Sequence, residues 1–294
     1  MGSNPQILYT PQQQMGYGGF SVPCRVGNWA EDEYLGVLLT SQHIAQSGES
    51  MLVSQKLGNA LGAALAPAEL APAPSDGAIH FGDTVMLSSA MGGVLALDTI
   101  SRMELPQEAY AVTRTREAGA VACTRTAWTI TPPKNAEPPA DGLLRIGMKF
   151  ALTCVGGDGN RQFLQSQRYT LHNQNYATSV GMRKQGCCAA PADSVDTLWE
   201  VAVLDPSDLA QMESVGQPVP ANTFVSLKHV NTQVSLYTCD HKIINKYGNE
   251  FEISGHTESG LAKAGWGTRS AQMLGVGNHF AFTTAEATAE AKAA

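Results

Sequence analysis

No stretch of this 294-residue chain is basic. Lys and Arg number 19 against 26 Asp and Glu, a formal net charge of −7. The deficit is spread out: 2 basic against 6 acidic residues over 1–80, 11 against 14 over 81–220, and 6 against 6 over 221–294. Nucleic acids and anionic membranes are held by clustered Lys and Arg, so neither is an expected partner. No apolar run approaches the roughly 20 residues needed to span a bilayer. Met1-Gly2-Ser3-Asn4-Pro5 carries neither a basic stretch followed by an apolar segment nor the Ser/Thr of a myristoylation signal. Neither a secretory leader nor a lipid anchor is expected.

Catalytic and metal motifs are missing as well. The chain has no Gly-x-x-x-x-Gly-Lys-Ser/Thr loop, no Gly-x-Ser-x-Gly elbow and no His-Glu-x-x-His helix. Gly156-Gly157-Asp158-Gly159-Asn160 lacks the twelfth-position Glu of an EF-hand and reads as a turn between strands. The six cysteines (Cys24, Cys123, Cys154, Cys187, Cys188, Cys239) form no Cys-x-x-Cys, and free thiols are expected. A zinc reading would join Cys239 and His241 to Cys187 and Cys188, a spacing that fits no standard site. The expectation is no metal, no cofactor and no enzyme.

What is present begins with an extended arm rich in Gln, Gly, Pro and Tyr up to Phe20. Asn28 then stands as a helix cap, with Glu31, Asp32 and Glu33 complementing the dipole of the first turn. Leu35, Leu38, Leu39 and Ile44 continue a short helix over 30–46, weakened by Gly36, and a second helix is expected over 51–65. Pro67, Pro72 and Pro74 follow as a linker. These features divide the chain into an arm and linker (1–75), a β-rich domain (76–283) and an Ala-rich tail (284–294).

The β-rich part repeats itself. Gly82-Asp83-Thr84-Val85-Met86-Leu87 corresponds to Gly147-Met148-Lys149-Phe150-Ala151-Leu152 and to Asn222-Thr223-Phe224-Val225-Ser226-Leu227. Each is followed by a strand holding Leu95, Leu164 or Leu236, and each unit closes on an aromatic strand starting at Trp128, Trp199 or Phe280. One copy cannot bury its own apolar face, whereas three closed around an axis can. The expected fold is all-β, a MIR-like β-trefoil behind an arm with one or two short helices. A β-sandwich is the competing arrangement. Trp128 and Trp199, at equivalent positions, are expected in the core, and His80, His229 and His256 as structural hydrogen-bonding groups.

Two blocks carry a family likeness: Arg25-Val26-Gly27-Asn28-Trp29-Ala30-Glu31-Asp32 and Asp76-Gly77-Ala78-Ile79-His80-Phe81-Gly82-Asp83. Val219-Pro220-Ala221-Asn222, His229-Val230-Asn231-Thr232 and Tyr247-Gly248-Asn249-Glu250 follow in order. The chain resembles the cilia- and flagella-associated protein 161 family over about Arg25 to Phe282. It departs from that pattern in its second helical segment, where Lys56 stands alone. The resemblance implies a structural protein of the cilium or flagellum, inside the axonemal doublet microtubules, with the α/β-tubulin lattice and other microtubule inner proteins as partners. Trp29 lies among polar neighbours outside the β-rich part, so it is expected to anchor a partner, with Arg25, Val26, Gly27, Asn28, Glu31, Asp32 and Tyr34 around it. The alternative function is a cytosolic lectin-like trefoil binding a sugar or inositol phosphate.

Overall fold

The computed structural model describes residues 29–102, 109–116, 121–134, 136–157, 159–168, 170, 179, 181–205, 207–260 and 273–285. The chain divides into two compact units, Met1–Asn59 and Ala60–Ala294. The first contains α1 (Trp29–Gly48) and most of α2 (Val53–Ala64). Gly36 does not interrupt α1, although Gly in a helix interior costs about 1 kcal/mol relative to Ala. The two helices are joined by a tight turn. The Met51 N–H donates to Gln46 O at 2.7 Å, Gln55 Nε2 reaches Ser47 O, and Ser50 takes φ 57°. Pro67, which cannot continue a helix, lies just beyond the end of α2.

The second unit begins upstream of the boundary at residue 76 that composition suggests. Residues 64–71 behave as a strap bonded to the body. Ala64 O and Ala66 O accept from Arg125 N and Thr124 N, Ala68 N donates to Ala122 O, and Ala71 N to Thr84 O. Proline density marks the absence of helix here, while the backbone groups between the prolines still find partners.

The body is all-β. Its strands are β1 (Thr84–Ser89), β2 (Val94–Arg102), β3 (Tyr110–Thr115), β4 (Trp128–Thr131), β5 (Lys149–Val155), β6 (Arg161–Ser166), β7 (Gln185–Ala190), β8 (Trp199–Ala202), β9 (Phe224–His229), β10 (Leu236–Asn245), β11 (Gly248–Gly255), the short pair β12 (Ser259–Gly260) and β13 (Met273–Leu274), and β14 (Phe280–Thr283). A short helix, α3 (Asp208–Ser214), lies between β8 and β9.

Antiparallel pairing runs β1–β4–β5–β8–β9–β14 and returns from β14 to β1, so the ring closes. Two stacked open sheets are therefore not formed. The three remaining hairpins, β2–β3, β6–β7 and β10–β11, pair with one another through β3–β7, β3–β11 and β7–β11. Within each repeat the opening strand faces its own closing strand at the expected residues: Val85 opposite Trp128, Phe150 opposite Trp199, and Val225 opposite Phe280. All six are buried in one core with Leu95, Leu164 and Leu236.

The three-way relation extends to the backbone. Ile79 N donates to Val219 O, Val219 N to Leu144 O and Leu144 N to Ile79 O, each at 2.9 Å, closing a cycle of three fully buried residues. Gly82, Gly147 and Asn222, just before β1, β5 and β9, have φ of 97°, 83° and 58°. Asn is the side-chain-bearing residue that tolerates this left-handed region best, so it can stand where the other repeats use Gly. The Trp128 and Trp199 indoles donate to Leu95 O (3.2 Å) and Leu164 O (2.9 Å). Phe280 has no donor, and the equivalent carbonyl of Leu236 is instead satisfied by Asn278 Nδ2 at 2.8 Å.

Candidate functional site

The sequence points to Arg25, Val26, Gly27, Asn28, Trp29, Glu31, Asp32 and Tyr34. The first four lie outside the described residues. Trp29, Glu31 and Asp32 belong to the first turn of α1. Tyr34 is 71% exposed.

Tyr34 is not isolated. Leu35, Val37, Leu38, Leu39 and Ile44 of α1 are also exposed. At about 100° per residue these side chains occupy well over half the helix circumference rather than one stripe. The hydroxyls on the same helix turn back on its own carbonyls: Thr40 Oγ1 donates to Gly36 O and Ser41 Oγ to Leu38 O, each at 2.8 Å. Two of its hydroxyls are therefore spent internally, and beside the exposed Glu33, Gln42, His43 and Gln46 the helix offers outward a broad aliphatic surface.

The family-like blocks of the body fold into structural joints. In Asp76–Asp83, Asp83 Oδ2 accepts from His80 N at 2.8 Å, Asp76 Oδ1 accepts from Ala78 N, and Asp76 Oδ2 lies 3.4 Å from His80 Nε2. His229 is fully buried against Trp199, with Nδ1 2.8 Å from Thr232 Oγ1 and Nε2 2.9 Å from Asp196 O. Burial pushes its pKa down, which keeps the ring neutral. His256 contacts Lys184 Nζ at 3.2 Å and packs edge-on against Tyr237. Burial, and then the Lys184 charge, lower its pKa too.

Glu250, in the Tyr247–Glu250 block, forms a buried two-pronged pair with Arg125: Nη1 to Oε1 and Nη2 to Oε2, both 2.9 Å. Thr113 Oγ1 and Asn245 Nδ2 also donate to it, and the Arg125 guanidinium lies 3.7 Å over the Tyr247 ring. Burial alone would raise the Glu250 pKa, but these donors outweigh it and hold the carboxyl below its ordinary value. Arg125 and Glu250 are 125 positions apart, and nothing in the sequence signals the pair.

The described cysteines, Cys123, Cys154, Cys187, Cys188 and Cys239, are free and buried. Burial pushes Cys154, Cys187 and Cys188 up to about 12, which makes them poor nucleophiles and poor metal ligands. Among the described residues no three His, Cys, Asp or Glu groups gather as a metal site, and no helix is long and apolar enough to cross a membrane.

A cavity of about 580 Å³ is walled by Phe81, Pro132, Pro133, Pro139, Met148 and Leu198. Lys134, Lys149, Glu137 and Asp193 also line it, so its charges balance. A second cavity, of about 600 Å³, is lined by Thr84, Thr129, Thr153 and Arg161. The Thr84 and Thr129 hydroxyls bond each other at 3.1 Å, and Thr153 Oγ1 donates to Thr129 O.

Against known proteins, residues 68–266 match the cilia- and flagella-associated protein 161-like domain. The zebrafish (Danio rerio) cilia- and flagella-associated protein 161 is 28% identical over 251 residues, covering 79% of this chain and 80% of that protein. The bovine (Bos taurus) protein of the same name is 29% identical over 254 residues, covering 79% and 75%. Among solved structures, the SDF2-like protein from Arabidopsis thaliana is similar with TM-score 0.49 and 13% identity, covering 69% of this chain and 93% of that one. A Caenorhabditis elegans protein of unknown function is similar with TM-score 0.48 and 14% identity, covering 68% and 95%. With the family match spanning well over half its length, the chain belongs to the cilia- and flagella-associated protein 161 family.

Proposed function

We propose that this protein is a non-enzymatic structural component of the cilium or flagellum, seated in the lumen of the axonemal doublet microtubules against the α/β-tubulin lattice and neighbouring inner proteins. Its β-body is read as a MIR-type β-trefoil, supported by the closed strand ring and the three-way bonding of Ile79, Leu144 and Val219. Family membership supports the ciliary setting. The observation that carries the structural role is α1, whose apolar side chains are exposed around most of its circumference. An apolar face wider than half a helix is covered when the helix is enclosed by more than one surface, not when it lies on one. Burying each Val or Leu side chain contributes about 1.5–3 kcal/mol, so enclosure among several protein surfaces offsets the ordering of the arm. Trp29 begins this helix and is the anchor of the reading.

The test is to express the tagged protein in ciliated cells and isolate axonemes under moderate salt. Wild type stays with the axoneme, whereas Trp29→Ala is released at least tenfold more readily, with the melting temperature of the body nearly unchanged. A wild-type protein spread through the cytoplasm, or a Trp29→Ala protein that stays bound but melts several degrees lower, contradicts the reading.

A further inference from the structure

Helix α3 is built inside out. It is capped by Ser207, whose hydroxyl accepts from Ala210 N, and its inward face is polar. Gln211 Nε2 donates to Val203 O and Asp205 O, and Ser214 is buried with its Oγ bonded to Gln211 O. The outward face is apolar: Leu209 is 68% exposed, Met212 76%, and Val215, just past the helix, 64%. Leu209 and Met212 face water, Val215 lies beside Gly147 of the body with most of its side chain still exposed, and an apolar patch with a polar rim marks an interaction surface.

Charge defines what fits there. At about 100° per residue, Asp208 and Glu213 flank the Leu209–Met212 pair on its two sides, and Asp205 stands just before the helix. None of the three carboxylates has a cation within ion-pair distance among the described residues. The surrounding sequence accentuates this. Between Lys184 and Lys228 lie Asp193, Asp196, Glu200, Asp205, Asp208 and Glu213, without one Lys or Arg. Of the cations outside that stretch, Lys228 pairs with Glu200, and Arg145, which donates to Gly216 O at 2.9 Å beside the helix, is paired with Asp141. Such a surface repels an anionic membrane and a second copy of itself, and attracts a partner that carries positive charge beside apolar side chains.

We propose that α3 is a docking surface for an amphipathic, Lys/Arg-bearing segment of another protein, with Leu209, Met212 and Val215 receiving its apolar side chains and Asp205, Asp208 and Glu213 its cations. Methionine suits this position because its flexible thioether adapts to different partner shapes. The inference stands on α3 alone, so its failure leaves the ciliary reading intact.

The experiment uses the full chain and a fluorescein-labelled helical peptide of Leu and Lys, with a Leu/Glu peptide of the same pattern as control. Wild type is expected to bind the Leu/Lys peptide and not the Leu/Glu peptide. Affinity should fall at least tenfold in Leu209→Ser/Met212→Ser, which keeps every charge, and at least tenfold in Asp205→Asn/Asp208→Asn/Glu213→Gln, which keeps the apolar face. Both variants should melt like wild type, since the altered side chains face outward. Several results overturn the proposal: no binding by wild type, equal binding by the Leu209→Ser/Met212→Ser variant, or equal binding of the Leu/Glu peptide. So do a dimer abolished by that variant and adherence of the patch to phosphatidylserine vesicles. Tightened binding in Lys263→Glu/Arg269→Glu would also overturn it, by assigning the patch to the chain's own 261–272 segment.

Discussion

In the β-body, Trp128, Trp199, Phe280, Leu95 and Leu164 are all fully buried, and every repeat spends a side-chain donor on the carbonyl of its second strand. In α1, Leu35, Val37, Leu38, Leu39 and Ile44 are exposed, and the helix's hydroxyls bond its own backbone. The same aliphatic residue types thus appear in two opposite settings. The body uses them to close its core, whereas α1 leaves them exposed. Changes in the body should therefore be read in stability, and changes in α1 in attachment.

The largest expected effect is Arg125→Ala, which strands the buried Glu250 carboxylate and should cost about 3–5 kcal/mol of unfolding free energy. Denaturant unfolding of the full chain checks it, and a loss below about 1 kcal/mol would mean that Glu250 finds other compensation. Next, Asn278→Ala removes bonds to Leu236 O, His256 O and Glu258 N, and should cost about 3 kcal/mol at roughly 1 kcal/mol each. Trp128→Phe frees only Leu95 O, for about 1–2 kcal/mol. If Asn278→Ala proves the milder of the two, Asn278 does not act as the third repeat's substitute for an indole.

Acid should unfold the body in two stages. The folded-state pKa values of His229 and Glu250 are both depressed, so the unfolded chain binds more protons as pH falls. The stabilisation is complete above the ordinary His range near 6.5. It erodes first as unfolded His229 titrates, and again below the ordinary carboxylate range as Glu250 protonates. Melting temperatures measured from pH 8 to pH 3 should fall in that order, and a protein more stable at pH 5 than at pH 7 would contradict the assignment. The smallest effect on folding belongs to α1. Leu38→Ser with Ile44→Ser should alter the unfolding of the body by no more than about 0.5 kcal/mol.

The threefold relation of the body was legible because the opening strands recur as similar apolar strings and the closing strands begin on aromatics, which fixes Val85, Phe150 and Val225 opposite Trp128, Trp199 and Phe280. The compensation at Asn278 was hidden, since the donor moved from the aromatic to a residue two positions upstream. The Arg125–Glu250 pair was hidden by its sequence separation. The bonding of residues 64–71 to the body was not legible, because proline content reports the end of a helix but not where the following backbone bonds. For the arm, Trp29 and its neighbours are marked by family likeness and local polarity, and Leu35, Leu38, Leu39 and Ile44 by their helical spacing, but spacing does not tell a covered apolar face from the exposed one found here. The inside-out α3 had a trace in the sequence, a 43-residue stretch from 185 to 227 with no Lys or Arg. Its seven helical residues, however, are too few to show a period.

The central claim is that this protein is held inside the doublet microtubule by apolar surfaces of its N-terminal helix. Electron cryomicroscopy of isolated doublet microtubules from cells expressing the tagged protein tests it most directly. The account predicts density for the threefold body on the luminal wall, with α1 enclosed by tubulin and neighbouring proteins, and loss of that density in Leu38→Ser/Ile44→Ser cells. Density on the outer surface or in the ciliary matrix, or an undiminished luminal density in the variant, would contradict it.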